Sequence, residues 1–179
     1  METELSVIVL CYRAGKQTYK VVEEIRKLLC RYVPSWEIIL VGNYIEGADD
    51  DTPMVVKDIA SRYENITAIA KPKKGMMGWD ARCGLDMAAG QYLCLTDGDE
   101  QAPAINIIKI FKKIKKEGLG LVKTYRKRRF DGITRIIISY VYNALFYLLF
   151  PGISTRDINS KPKIFTKEFY QKANLTSDD

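Results

Sequence analysis

The chain has 179 residues, 47% apolar and 28% charged, which is enough ordinary globular sequence for one domain with a real core. It has no histidine, which excludes Ser-His-Asp and Cys-His mechanisms and any His-bound metal. The net charge of +6 is uneven: residues 1–101 carry 12 Lys/Arg against 16 Asp/Glu, and residues 102–179 carry 16 against 6, so the second half calls for an anionic partner such as phosphate, nucleic acid or a membrane surface.

The start, Met1-Glu2-Thr3-Glu4, is acidic and runs straight into an apolar strand, unlike a signal peptide with its basic lead. Leu5–Cys11 reads as a buried strand. Lys16–Tyr32 places Val21, Val22, Ile25, Leu28, Leu29 and Tyr32 at helical spacing, and Pro34 stops it. Trp36–Val41 is a second strand and Gly42–Asp51 a polar loop. Thr52 is expected to cap a helix with Pro53 at its first position, running to about Tyr63. Asn65–Ala70 is a third strand, followed by a basic, glycine-containing loop over Lys71–Gly78. Trp79–Ala89 reads as a helix closed by Gly90, and Gln91–Thr96 as a fourth strand. None of the cysteines (Cys11, Cys30, Cys83, Cys94) forms a C-x-x-C pair, so zinc and redox motifs are disfavoured and a reducing compartment is the default.

The fourth strand ends in Thr96-Asp97-Gly98-Asp99-Glu100-Gln101. Asp97 and Asp99 are two apart, so in an extended segment both face one way, and Gly98 lets the backbone turn between them. Gln101 adds a neutral oxygen. An all-oxygen cluster suits Mg²⁺ or Mn²⁺, which share ligands with substrate phosphates. On its own an Asp-x-Asp pair occurs often by chance and is better explained as a solvated, inert acidic turn.

Beyond it, Ala102–Glu117 is expected to be a surface helix with Ile105, Ile108, Phe111 and Ile114 on its apolar face and lysines covering the rest. Gly118–Thr124 is a fifth strand. Tyr125–Gly132 is a basic loop containing Arg126 and Arg128. Ile133–Phe150 is apolar almost all round and slightly short for a membrane span, with Arg135, Ser139 and Asn143 sharing one helical face. It is either a core helix or a helix lying in the membrane interface. The adjoining basic loop favours the second, because clustered Arg and Lys beside an apolar helix suit anionic lipid. A nucleic-acid partner is disfavoured, since the neighbouring aromatics sit in an apolar helix rather than on a stacking platform. Strands alternating with helices predict an α/β domain with a mostly parallel, Rossmann-like sheet flanked by helices, plus this apolar C-terminal helix. Ligands in such sheets sit beyond the carboxyl ends of the strands, where the loops after Cys11, after Val41 and at Asp97–Gln101 all lie.

Several stretches, in order, resemble the family 2 glycosyltransferases of GT-A fold, and among them the polyprenyl-phosphate (dolichol-phosphate) sugar transferases. Ser6–Arg13 resembles S-V-V-I-P-x-Y-N, and Ile38–Asn43 sits where the family has I-I-L-V-D-D. Gly78–Leu85 with Ala88–Gly90 resembles G-x-x-A-R-N-x-G-L…A-x-G. Asp97–Gln101 matches D-x-D-x-Q, and Asp157–Phe165 is similar to D-x-N-S-x-x-K-x-F. The resemblance implies a metal-dependent sugar transfer from a GDP- or UDP-sugar to a polyprenyl or dolichyl phosphate at the cytoplasmic face of a membrane. It implies a nucleotide-sugar-binding half over 1–101 and an acceptor and membrane half over 102–179 of a single domain. Asp97, Asp99 and Gln101 would hold the metal, and Asp97, Asp99 and Arg135 would carry catalysis. Cys11, Tyr12, Asn43, Arg82, Asp97, Gly98, Arg126, Arg128 and Ser139 would contact the donor or its phosphates. For Arg82 an i,i+4 pair with Asp86 is the plainer reading; for Tyr12 the alternative is a strand-end core role, and for Arg135 snorkelling or a helix-face ion pair is an equal alternative.

The departures are specific. The family proline is Leu10, its asparagine Arg13 and the following acid Ala14. The acids after strand two are Gly42-Asn43, and S-G-F is Ser160-Lys161-Pro162. Relatives continue past Asp179, so the chain reads as part of a longer protein, peripheral or anchored by a segment outside it. Two alternatives stand beside this reading: a family 2 transferase with a glycan or other lipid acceptor, and a catalytically weak relative acting as a membrane-associated binding protein. Neither the sugar, the base nor the oligomeric state is legible in the sequence.

Overall fold

The computed structural model describes residues 2–100, 102–125, 140–142, 144–146, 148–149 and 159–178. In chain order the elements are β1 (Leu5–Leu10), α1 (Gln17–Tyr32), β2 (Trp36–Val41), α2 (Thr52–Ser61), β3 (Ile66–Ile69), α3 (Met77–Met87), β4 (Tyr92–Asp97), α4 (Ile105–Glu117), β5 (Leu121–Lys123), β6 (Lys163–Thr166) and α5 (Lys167–Ala173). One sheet holds all six strands in the order β3-β2-β1-β4-β6-β5. β1 to β4 are mutually parallel, and β6 runs antiparallel between β4 and β5. The strand order reverses between β1 and β4, which is where open α/β sheets open a crevice for ligand.

Alternation along β1 builds both faces of the core. Leu5, Val7 and Val9 point to the side covered by α1, α2 and α4, while Ile8 and Leu10 point to the side covered by α3. α1 buries Val21, Val22, Ile25 and Leu29 on its strand-facing stripe, each contributing about 2 kcal/mol of apolar burial. α3 turns Gly84 toward the sheet, against Ile8 and Val41. A Cβ at Gly84 would overlap Ile8 Cγ2 and come within 2.9 Å of Val41 Cγ2.

Four local expectations are corrected. Thr52 does not cap α2. It is its first helical residue; its amide donates to Asp50 Oδ1 at 3.0 Å, and its hydroxyl accepts the Gly15 amide at 2.9 Å. The hydroxyl thereby ties the β1–α1 turn to α2. Gly90 does not close α3, which ends at Met87. Gly90 is needed instead where its amide meets the Ser6 hydroxyl at 2.8 Å, because a Cβ would collide with Ser6. On α4 the buried stripe is Ile107, Ile108, Ile110, Phe111 and Ile114, and Ile105, in the first turn, is exposed. β6 and α5 were not expected at all. β6 has only four residues, and its partner β4 lies some seventy residues earlier in the chain, so no local signal marks it.

The Ile133–Phe150 expectation falls largely outside the described residues. Those described at 140–142, 144–146 and 148–149 are helical, and Tyr140, Leu148 and Leu149 are strongly exposed. Among the described residues no helix is long and apolar enough to cross a membrane.

Gly84→Ala is expected to destabilise the fold by about 2 kcal/mol through overpacking against Ile8 and Val41, seen as a lower urea midpoint with an unchanged slope. Burial pushes the Cys11 thiol up to about 12 and raises Cys94 further, whereas Cys30 is exposed on α1. Iodoacetamide at neutral pH is therefore expected to modify Cys30 in the native protein, and Cys11 and Cys94 only after unfolding.

Candidate functional site

The acidic cluster is placed by the pairing of two strands. β1 and β4 lie side by side in the register Leu10↔Asp97, so the turn after β1 and the acidic end of β4 emerge together at the carboxyl edge. The Gly98 amide donates to the Leu10 carbonyl at 2.7 Å. A Cβ on Gly98 would stand 3.0 Å from both that oxygen and Cys11 Sγ, so any side chain there would force its neighbours to give way by a few tenths of an ångström. Asp97, Gly98 and Asp99 line a cleft of about 860 Å³, bounded also by Tyr12, Arg13, Lys73, Asp80, Met77 and Lys161. Glu100 points elsewhere, pairing with Lys20 of α1 at 2.6 Å.

Tyr12 is 44% exposed in the cleft, not a core residue. Its ring is approached by two cations, Lys73 Nζ at 4.6 Å from the centroid and the Arg13 guanidinium carbon at 5.4 Å. Arg13 adopts φ +52°, a left-handed conformation that costs a non-glycine residue about 1 kcal/mol. The turn after β1 therefore presents an aromatic face with positive charge on it.

A polar network closes the far side. Asp80 of α3 is only 4% exposed. Its Oδ1 accepts Asn43 Nδ2 at 2.8 Å, and its Oδ2 accepts the Lys73 ammonium. Asn43 is 1% exposed, and its own carbonyl accepts the Lys71 amide at 3.0 Å. Asn43 is thus held inside the network, and Asp80 is the group of the two that reaches the cleft. Lys161, from the segment leading into β6, extends across to Asp97 Oδ1 at 2.5 Å.

Of the residues singled out in the sequence, Tyr12, Asp97, Gly98 and Asp99 meet in this cleft. The Cys11 thiol is buried beneath it and donates to the Val9 carbonyl at 3.4 Å. Arg82 pairs with Asp178 rather than with Asp86, which instead accepts the Tyr170 hydroxyl at 2.5 Å. Gln101, Arg126, Arg128, Arg135 and Ser139 lie outside the described residues. Sequence reasoning missed Asp80, Lys73 and Lys161. Asp80 and Lys161 both sat inside quoted motifs, at positions where those motifs prescribe no acid and no base.

The donor chemistry at Asp97 and Asp99 fits a hard divalent ion. Among the described residues no group of three or more His, Cys, Asp or Glu gathers for a metal. Two carboxylates opening on a cleft, with the remaining positions left to water and substrate phosphate, are the usual arrangement for Mg²⁺. The Asp97 carboxylate is already paired with the Lys161 ammonium, so an ion held there would share it.

A family model described as glycosyl transferase family 2 matches residues 6–176. The dodecaprenyl-phosphate galacturonate synthase of Rhizobium johnstonii is 25% identical over 177 residues, covering 98% of this chain and 51% of that protein. A mannosyltransferase from Pyrobaculum calidifontis, solved with GDP-Man and Mn²⁺, superposes with a TM-score of 0.67 at 17% identity, covering 100% of this chain and 49% of that one. The glucosyl-3-phosphoglycerate synthase of Mycobacterium tuberculosis, solved with Mn²⁺, UDP-glucose and phosphoglyceric acid, gives 0.65 at 18% identity, covering 93% and 57%. The shared architecture is the GT-A fold. The chain spans about half the length of the rhizobial protein.

Lys73→Met is expected to cost about 3 kcal/mol in urea unfolding, because it leaves Asp80 buried without its cation. Adding Asp80→Asn to that variant is expected to recover most of the loss, since a neutral amide removes the stranded charge while its carbonyl can still accept the Asn43 Nδ2 donor.

Proposed function

Because the chain belongs to glycosyl transferase family 2, we propose that it moves a sugar from a nucleotide-sugar donor to a polyprenyl phosphate at a membrane surface. The observation that carries this reading is the meeting of Asp97, Asp99 and Tyr12 in one cleft at the carboxyl edge of the sheet. The rhizobial relative is named for a polyprenyl-phosphate product, and the two solved neighbours hold GDP-Man and UDP-glucose with Mn²⁺.

In this reading the nucleoside lies against Tyr12 and the diphosphate points to the end of β4. Asp97, Asp99 and Gln101 would hold Mg²⁺ or Mn²⁺, which supplies positive charge against which a diphosphate can leave. Asp97 and Asp99 fix that charge at the sheet edge, and Arg13 and Lys73 keep cations on the nucleotide side of the cleft. Asp80, steadied by Asn43 and Lys73, offers a carboxylate to the bound nucleotide. An acceptor phosphate is already anionic, so its attack needs no strong general base, in keeping with a chain that has no histidine. Arg126, Arg128, Arg135 and Ser139 would hold phosphate groups on the acceptor side, where guanidinium forks suit phosphate oxygens. The exposed Tyr140, Val141, Tyr142, Leu145, Leu148 and Leu149 and the basic second half support a position at the cytoplasmic face of an anionic membrane.

A second reading, a catalytically weak relative that binds membranes, is favoured by two observations. The Asn43 amide is engaged inside the protein, and Lys161 sits on Asp97. Vesicle binding without nucleotide binding would select it.

Calorimetry with GDP and UDP, each with Mn²⁺, Mg²⁺ or chelator, is expected to give metal-enhanced binding of at least one nucleotide. No heat in any combination contradicts the enzymatic reading. Asp99→Asn is expected to lower the metal-dependent affinity by about tenfold or more, since an amide is a poorer ligand for a hard cation.

A further inference from the structure

The side chain of Lys161 is only 8% exposed, yet it reaches the mouth of the acidic cluster. Its ammonium donates to Asp97 Oδ1 at 2.5 Å and to Met77 Sδ, at the start of α3, at 3.0 Å. It therefore crosses from the β6 side of the cleft to the α3 side.

The backbone around it is fixed on both flanks. The buried Ser160 hydroxyl donates to the Thr124 carbonyl, just past β5. The Thr124 amide and hydroxyl both donate to the Pro162 carbonyl at 3.2 Å. Lys163 then enters β6 opposite Leu95, two residues before Asp97 on β4. Removing an ammonium from water is unfavourable unless an anion compensates it, so the Lys161–Asp97 pair is a built feature rather than an incidental surface contact.

The pair has a consequence for any second cation. Asp97 Oδ1 is already engaged by a positive charge, and a divalent ion on the same carboxylate is repelled by it at short range. A diphosphate entering the cleft meets the same charge as an attraction. We propose that Lys161 is a resident cation of the acidic cluster: its ammonium competes with a divalent ion for Asp97 and presents a fixed positive charge to a nucleoside diphosphate. The diphosphate half rests on the nucleotide-sugar reading given above, and the ion competition rests on the Lys161–Asp97 geometry alone.

The test titrates Mn²⁺, without nucleotide, into the wild type, Lys161→Met and Lys161→Arg, following free Mn²⁺ by electron paramagnetic resonance after thermal melting shows each to be folded. Lys161→Met is expected to bind Mn²⁺ about tenfold more tightly than the wild type, and Lys161→Arg, which keeps the charge, within about twofold of it. Should Lys161→Met melt early, Lys161→Gln serves the same comparison. Equal Mn²⁺ affinity in the neutral variant and the wild type, or no Mn²⁺ binding by either, overturns the proposal. GDP and UDP are then titrated in chelator, where the wild type is expected to bind weakly and the neutral variant not measurably. Equal metal-free binding by the two overturns the diphosphate half. A wild type that binds neither nucleotide, with or without Mn²⁺, overturns the diphosphate half together with the reading it rests on, and the Mn²⁺ comparison still decides the ion competition.

Discussion

The parallel pairing of β1 with β4 governs the rest of the site. Its register sets Leu10 against Asp97, and the Gly98 amide closes onto the Leu10 carbonyl. A slip of one residue would turn Asp97 and all the other side chains of β4 over to the other face of the sheet. The register is held by burial on both faces: β1 is buried along its whole length, as is β4 from Leu93 to Thr96. The acidic pair is therefore positioned by core packing, the least adjustable part of the molecule.

Around that fixed edge the cleft is built from matched charges. On the Tyr12 side Asp80 is neutralised by Lys73 and steadied by Asn43. On the acidic side Asp97 is partnered by Lys161. Pairing of this kind keeps buried charges from being stranded while the cleft is free of ligand. It also means that a ligand must exchange partners on entry, so affinity is set by differences between contacts and not by their number. Family membership is the ground on which a nucleotide-sugar is proposed as the occupant of the cleft.

Much of the fold was legible in the sequence because its strands are continuous apolar runs and its helices carry stripes at helical spacing. Val21, Val22, Ile25 and Leu29 fall on the buried face of α1 as their spacing requires. What escaped were features that depend on distant partners. β6 is four residues long and exists because β4 and β5 flank it. Thr52 looks like a cap locally, but its hydroxyl is claimed by Gly15 across a loop. In the site, Asp97, Gly98, Asp99 and Tyr12 could be read from motif and strand end. Asp80, Lys73 and Lys161 could not, because only the folded chain brings α3, the β3–α3 loop and the β6 approach around one cleft. Asn43 was legible as a polar residue at the right edge, but its burial and its bond to Asp80 were not.

The central claim is the transfer of sugar from a nucleotide donor to a lipid phosphate. The most direct measurement incubates the protein with radiolabelled GDP- and UDP-sugars, polyprenyl phosphate in anionic vesicles, and Mn²⁺ or Mg²⁺, and follows label into the organic phase. The account predicts lipid-extractable label from at least one donor, falling when the metal is chelated and when Asp99 is replaced by Asn. Label that stays in the aqueous phase with every donor and both metals contradicts it.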